Sequence, residues 1–262
     1  MDSELINTES ALAVLLDQIV DIQSEQPYLY LDLEGNNLSR HGTLSLVTIL
    51  VKPLGKVYLV DVTALGNSAF TTQGANGSSL QKILESPDII KVFFDIRNDS
   101  DALYSLHGVR VEGIHDLQLM ELASRHFSKK YVSGLARCIV RDSNLGFPET
   151  EEWVDIKEKG KRIFNQDYAA FDKRPIDPDL LRYCVQDVAF MPHLYDIYRA
   201  RIYEGWLPDI WDETKRRVEL SQTEGYNGQG QHMALGPSRW LDEGLFVWPA
   251  KVLEGEDDPY DY

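Results

Sequence analysis

The sequence predicts an α/β protein, a mixed sheet with helices on its flanks. Three β-rich runs follow closely on one another near the N-terminus, helices and strands alternate after residue 79, and helices dominate from residue 116 onward. The length of 262 residues is enough for one sizeable domain with its own core, with room for an appendage.

Taken in order, residues 8–22 read as a helix, with Leu12, Leu15, Leu16, Ile19 and Val20 at helical spacing behind Thr8 and Ser10 as candidate caps. Residues 28–34, Tyr28-Leu-Tyr-Leu-Asp-Leu-Glu34, read as a strand buried on both faces. The runs 44–51 and 56–62 form a hairpin around Lys52-Pro-Leu-Gly55, so these first three strands form an antiparallel meander. Residues 66–78 read as a loop. A short helix (79–85), a buried strand (89–94), a helix (99–107) and a short strand (111–115) follow. Helices are then expected over 117–126, 133–141, 150–160 and 177–203, the last interrupted by Pro192.

Composition narrows the class. Hydrophobic residues make up 43% and charged residues 26% of the chain, ordinary for a soluble globular protein. No run of eighteen apolar residues occurs, so no membrane partner is expected, and the N-terminus lacks the order of a secretory signal. Cys138 and Cys184 are too few for a disulfide framework and suit a cytoplasmic or nuclear protein. The net charge of −16 argues against loose, charge-driven nucleic-acid binding. Part of that excess lies in the five acids of residues 254–262, read as a disordered tail.

Three acidic positions stand out. Asp32 and Glu34, two apart on a strand, project from one face, where two ionised carboxylates in an apolar setting call for a cation such as a divalent metal. A chance pair at a strand end is the alternative, and the spacing leaves both open. In the stretch Asp95–Leu103, Asp99 shares a helical stripe with Leu103 and Leu106 that should face the sheet, whereas Asp101 falls with Ser105 and Gly108 on a solvent face. An acid that merely complements the helix dipole explains Asp99 equally well. Tyr183 and Asp187 are neighbours on a buried helix stripe with Leu180, Cys184 and Met191. A buried salt bridge, with Arg97 as the candidate partner, is the structural alternative for Asp187.

In that order and on those elements, Asp32-Leu-Glu34, Asp99 and Tyr183-x-x-x-Asp187 resemble the 3′–5′ exonuclease superfamily whose sites use four acids and a tyrosine (DEDDy), in its ribonuclease D-like branch. Within that branch the chain is most similar to exonuclease-domain proteins carrying the motifs seen here as Asp32–Gly35, Leu38–Gly42 and Asp95–Ser100. Arg174-Pro175 followed by Leu180-Leu-Arg-Tyr-Cys-Val-Gln-Asp187 also matches. The resemblance covers residues 5–203 and makes residues 204–253 a C-terminal extension. Ribonuclease D relatives usually have a histidine before the second motif, where this chain has Phe94; the departure bears on substrate grip, since no expected carboxylate is missing.

The resemblance implies a ribonuclease H-like fold and hydrolysis at a nucleic-acid 3′ end with two divalent ions, Mg²⁺ or Mn²⁺, releasing nucleoside 5′-monophosphates. Asp32 would bridge the ions, Glu34 and Asp187 complete one site, and Asp99 hold the other directly or through water. Tyr183 would orient the attacking water. Single-stranded RNA is favoured over DNA as the partner, although no base-reading element is visible. A rival reading is a nuclease-like module that binds RNA or protein without cutting; loss of a motif carboxylate would mark it, and all four are present. For backbone contact the chain offers Arg125, Lys129-Lys130 and the run Lys157–Arg162, the last more often a solvated helix face. Trp206, Trp211, Trp240 and Trp248 are read as docking the extension, with base stacking the alternative. The extension is also a candidate surface for a protein partner.

Overall fold

A computed structural model of the chain describes residues 1–25 and 27–241; Trp248 and the expected acidic tail lie outside the described residues. In chain order the elements are β1 (Asp2–Ile6), α1 (Glu9–Val20), β2 (Leu29–Glu34), β3 (Leu46–Val51), β4 (Lys56–Asp61), α2 (Val62–Leu65), α3 (Ser68–Thr71), α4 (Leu80–Glu85), β5 (Lys91–Phe93), α5 (Ile96–His107), β6 (Ile114–Asp116), α6 (Leu117–Ser124), α7 (Leu135–Asp142), α8 (Phe147–Gln166), α9 (Pro178–Ala189), α10 (Met191–Arg201) and α11 (Leu207–Ser221). No helix among the described residues is long and apolar enough to cross a membrane.

The strands form one six-stranded mixed sheet in the order β1-β4-β3-β2-β5-β6. β2, β3 and β4 make the expected antiparallel meander. β5 runs parallel to β2, β6 parallel to β5, and β1 parallel to β4. β2 is buried on both faces. Leu29, Leu31 and Leu33 pack against Leu12 and Leu16 of α1, Ile83 of α4 and Leu103 of α5 in one core. Tyr30 faces the other core, with Leu46, Leu50 and Leu59 and with Leu180, Val188 and Leu194 from α9 and α10. Strand alternation then sets Asp32 and Glu34 in the Tyr30 row, on the side that α9 covers.

The structure departs from the sequence expectations at several points. β1 is an added edge strand: Asp2, Ser3 and Glu4 are exposed, so no apolar pattern marks it, and its pairing comes from β4, where Lys56 also holds Glu4 at 2.7 Å. The stretch 66–78 is not all loop, because Ala69 and Phe70 of α3 are buried. α5 begins at Ile96 rather than 99, since Asp95 turns the chain in the left-handed region (φ 63°) immediately after the strand. The stretch 177–203 is interrupted as expected at Pro192: two helices meet at Phe190, with Pro192 in the first turn of α10, where its missing N–H has no intrahelical role.

α11 lies over β6, the sheet-edge strand, and against α5, and the segment after it returns across the loop that follows β2. Arg40 in that loop anchors it. Its Nε donates to Asp101 at 2.7 Å, and its terminal nitrogens donate to the carbonyls of Ser221, Thr223 and Glu224 at 2.8–2.9 Å. Arg97 donates to the Met233 carbonyl at 2.8 Å, and Asn98 accepts from the Tyr226 hydroxyl at 3.2 Å. This overlay also corrects the register argument for Asp101, which is not on a solvent face but 2% exposed, because Arg40 and the chain beyond Ser221 cover it. Arg40→Met breaks a largely buried ion pair together with three carbonyl contacts, so the unfolding free energy in urea should fall by about 3 kcal/mol or more. Equal midpoints for variant and wild type would rule out the anchor.

β5 opens on Lys91, which is 0% exposed and whose ammonium donates to the Ser86 carbonyl at 2.6 Å. Burial pulls its pKa down to about 7, against the opposing charge of Glu112. Between that value and the ordinary lysine value the unfolded chain binds more protons, so this residue makes stability rise with pH across the window. Lys91→Met should therefore melt above wild type near pH 7, and the gap should close towards about pH 10. A gap independent of pH would mean that Lys91 does not titrate in the folded protein.

Candidate active site

The end of β2 and the second half of α9 bring three acids together. Asp32, Glu34 and Asp187 each offer a carboxylate oxygen, and these oxygens lie within 4.8 Å of one another. Asp187 is 3% exposed, while Asp32 and Glu34 are half-buried. Burial raises the pKa of Asp32 to about 7, helped by the charge of Asp187 and opposed by Lys157. Glu34 is driven well above its ordinary value by burial and then by Asp32 and Asp187. The three oxygens form a hard donor set that fits a divalent ion such as Mg²⁺ or Mn²⁺.

Asp99 stands outside this triplet, 6% exposed in the first turn of α5. Burial raises its pKa well above normal and the charge of Asp32 adds to that, so it belongs to the same acidic field. Its two acidic neighbours are otherwise engaged. Asp95 accepts two hydrogen bonds from Arg97 at 2.5 Å and lies 3.4 Å from Arg217, and Asp101 is held by Arg40. Arg97 is therefore not the partner of Asp187.

That partner is Lys157 of α8, whose ammonium lies 2.7 and 2.5 Å from the two carboxylate oxygens of Asp187. The same ammonium lies over the Tyr183 ring, 3.9 Å from its centroid. Tyr183 is wedged between helices, edge-on to Phe164 with centroids 5.6 Å apart. Gly160, one turn beyond Lys157, lets α8 come this close: a Cβ there would lie 2.5 Å from the Tyr183 ring. Burial, with the charges of Asp187, Glu34 and Asp32 behind it, raises the phenol pKa well above normal, so Tyr183 keeps its proton.

The loops that aim these elements are tied down. At Gly35, just past Glu34, a Cβ would lie 2.0 Å from the Thr43 carbonyl, so glycine alone allows the chain to leave β2 there. Between α8 and α9, Arg174 donates to both oxygens of Asp61 at 2.5 and 2.6 Å, and Asp172 accepts from Thr43 at 3.0 Å and Ser45 at 2.5 Å. These contacts fasten the entry to α9 onto the ends of β3 and β4, and so fix Tyr183 and Asp187 against β2. Phe94, at the position of the usual histidine, packs against the apolar core on the α9 side.

Among the basic and aromatic candidates, Lys157 departs from expectation. Lys157 turns inward, whereas Lys159 and Lys161 pair along α8 with Asp155 and Glu158. Arg125 is bound to the buried Glu121, and Lys129 lies over the Trp206 ring. Trp211 stacks on His115 at 3.9 Å and Trp206 meets the buried Trp240 edge-on at 5.3 Å, so these three tryptophans pack the C-terminal segment instead of presenting free stacking faces. Sequence reasoning did not single out Lys157 or Arg40. The only available signals were a lysine facing α9 in the helical register of α8, and an arginine inside a motif.

A family model for the 3′–5′ exonuclease matches residues 4–202. Human piRNA biogenesis protein EXD1 is 28% identical over 170 residues, which make up 64% of this chain and 31% of that protein, so the match spans under a third of the relative's length. The crystal structure of Trypanosoma brucei RNase D in complex with RNA U12 superposes with a TM-score of 0.73 at 21% identity, covering 92% of this chain and 78% of that one. Brucella melitensis NrnC with bound Mg²⁺ superposes with a TM-score of 0.58 at 15% identity, covering 87% of this chain and 100% of that one. At such identities the superpositions establish a common fold. The mixed sheet, the acidic strand end facing α9 and a family match over three quarters of the length agree, and the chain belongs to the 3′–5′ exonuclease family, with the fold of its ribonuclease D-like branch.

Proposed function

We propose that this chain removes nucleotides one at a time from the 3′ ends of single-stranded nucleic acid, RNA in preference to DNA, using two divalent ions and releasing nucleoside 5′-monophosphates. One observation carries the reading: carboxylates from a strand and a helix converge within 4.8 Å, beside a tyrosine one turn away on the same helix. When bound, divalent ions lower the pKa of water and stabilise the charge that develops on the attacking and leaving oxygens. Asp32 would contribute a carboxylate to both ions. Glu34 and Asp187 would join it in holding one ion, and Asp99 would hold the other, directly or through water. Because its phenol keeps its proton, Tyr183 acts by donating a hydrogen bond that orients the attacking water, not as a base. The RNA held in the complex of the similarly folded trypanosomal RNase D is what suggests single-stranded RNA as a substrate class here. The free, buried thiols of Cys138 and Cys184 suit work in the cytoplasm or nucleus.

Metal binding should appear as stability. An ion present at a hundred times its dissociation constant adds about 2.7 kcal/mol, which for a chain of this size raises the melting temperature by roughly 5–11 °C. Calorimetry and melting with Mn²⁺ should give that signal for wild type and lose it for Asp32→Asn and Asp187→Asn. An unchanged melting temperature in wild type would remove the metal-dependent reading.

Cleavage gives the second check. With a 5′-labelled RNA strand and Mg²⁺, products should shorten stepwise and stop at a blocked 3′ end, and EDTA should abolish them. Tyr183→Phe keeps the ring packing but loses one hydrogen bond, so turnover should drop by about 10²–10⁴ with metal binding intact. A circular substrate cut as readily as a linear one would contradict the exonuclease reading, and a phenylalanine variant as fast as wild type would contradict the role of Tyr183.

A further inference from the structure

Lys157 is the cation nearest the acidic site among the described residues, and its burial has a specific geometry. Lysine is among the residues least often fully buried unless paired, yet Lys157 is 9% exposed, with its ammonium 2.5 Å from Asp187 and over the Tyr183 ring. The other lysines of its run point to acids on their own helix and stay half-exposed or exposed. Lys157 therefore binds one of the three converging carboxylates and lowers the pKa of all three. A cation at Asp187 relieves the repulsion among Asp32, Glu34 and Asp187, and that relief is the same work a divalent ion does there.

We propose that Lys157 is a built-in counter-cation that competes with divalent metal for Asp187 and so sets the metal affinity of the site. It is a positioning residue: it holds the Asp187 carboxylate and steadies the face of Tyr183 while the site is empty of metal, and it must release that carboxylate for the metal to take it. Because any group that accepts the ammonium frees Asp187, an anionic phosphodiester arriving at the site would strengthen metal binding, and by reciprocity metal would strengthen substrate binding. This inference rests on the metal-dependent reading above.

The test is Mn²⁺ titration of the whole chain by calorimetry, without nucleic acid, on wild type, Lys157→Met and Lys157→Arg, with melting measured in parallel. Removing the competing charge should tighten Mn²⁺ binding in Lys157→Met by about ten- to a hundredfold, and keeping the charge in Lys157→Arg should leave the affinity near that of wild type. Without metal, Lys157→Met should melt below wild type, because three acids then face one another uncompensated; with Mn²⁺ its gain in melting temperature should exceed that of wild type. A purely structural lysine predicts the lower melting temperature but not the tighter binding. Equal or weaker Mn²⁺ binding by folded Lys157→Met would overturn the proposal while leaving the metal site standing. Failure of wild type and both variants to bind Mn²⁺ would overturn both.

Discussion

The like charges gathered at the end of β2 impose the constraint that the rest of the fold answers. Three carboxylates whose oxygens lie within 4.8 Å repel one another in a half-buried setting, and a flexible frame would relax by moving them apart. This frame does not relax easily. β2 is paired with β3 along its whole length, Leu29 to Glu34, and with β5 on the other side, so Asp32 and Glu34 ride on an interior strand. Asp187 rides on a helix packed over β2, β3 and β4. Sites carried on regular elements hold their geometry more closely than sites on loops, and here the one loop that matters, between α8 and α9, is bonded to Asp61, Thr43 and Ser45.

The same charge logic accounts for the arginines. Arg40 binds Asp101, Arg97 binds Asp95, Arg217 binds Asp116, Arg125 binds Glu121 and Arg174 binds Asp61; every one of these acids is buried except Asp95, which is partly so. In each case removing one partner would strand a charge, and that makes such pairs stronger determinants of which arrangement is allowed than of total stability. Arg40 and Arg97 also carry their guanidinium hydrogens on to carbonyls of the C-terminal segment. The residues around Arg40 and Asp95 thus join two parts of the chain far apart in sequence, and α11 and the residues beyond it pack as part of the same body.

Much of this was legible in the sequence, and the exceptions have physical causes. The meander, the helix capped by Thr8 and the sheet-facing stripe of Asp99, Leu103 and Leu106 follow from periodicities of two and of three to four, which local sequence carries directly. From periodicity alone, Asp32 and Glu34 were legible as a pair on one strand face and Asp187 as a separate acid on a buried helix stripe, since the distance between β2 and α9 is tertiary; only the family resemblance put the three at one site. β1 was invisible because an exposed edge strand needs no apolar pattern. Asp101 was misassigned because helical register says which face a residue occupies but not what covers that face, and here the cover comes from Arg40, 61 positions earlier, and from the chain beyond Ser221 that Arg40 holds. Lys157 was hidden in a basic run whose other members do lie on a solvated face.

The balance of 42 acids against 26 lysines and arginines acquires a different meaning once the pairings are known. Arg125, offered for a basic track, is bound to the buried Glu121, and two of the candidate lysines lie in aromatic contacts, Lys129 over Trp206 and Lys130 over Tyr131. Such a surface gives phosphate backbones little long-range attraction, and non-specific affinity built on counterion release would be weak. For a nucleic acid to engage this chain, the favourable charge has to be local, at the end of β2. There the protein itself presents carboxylates and the Lys157 ammonium, so the attraction for a phosphate depends on which cations occupy the site. On the proposed function, the acidic composition would make nucleic-acid binding conditional on the state of one small cluster, in which Lys157 and Asp187 are paired.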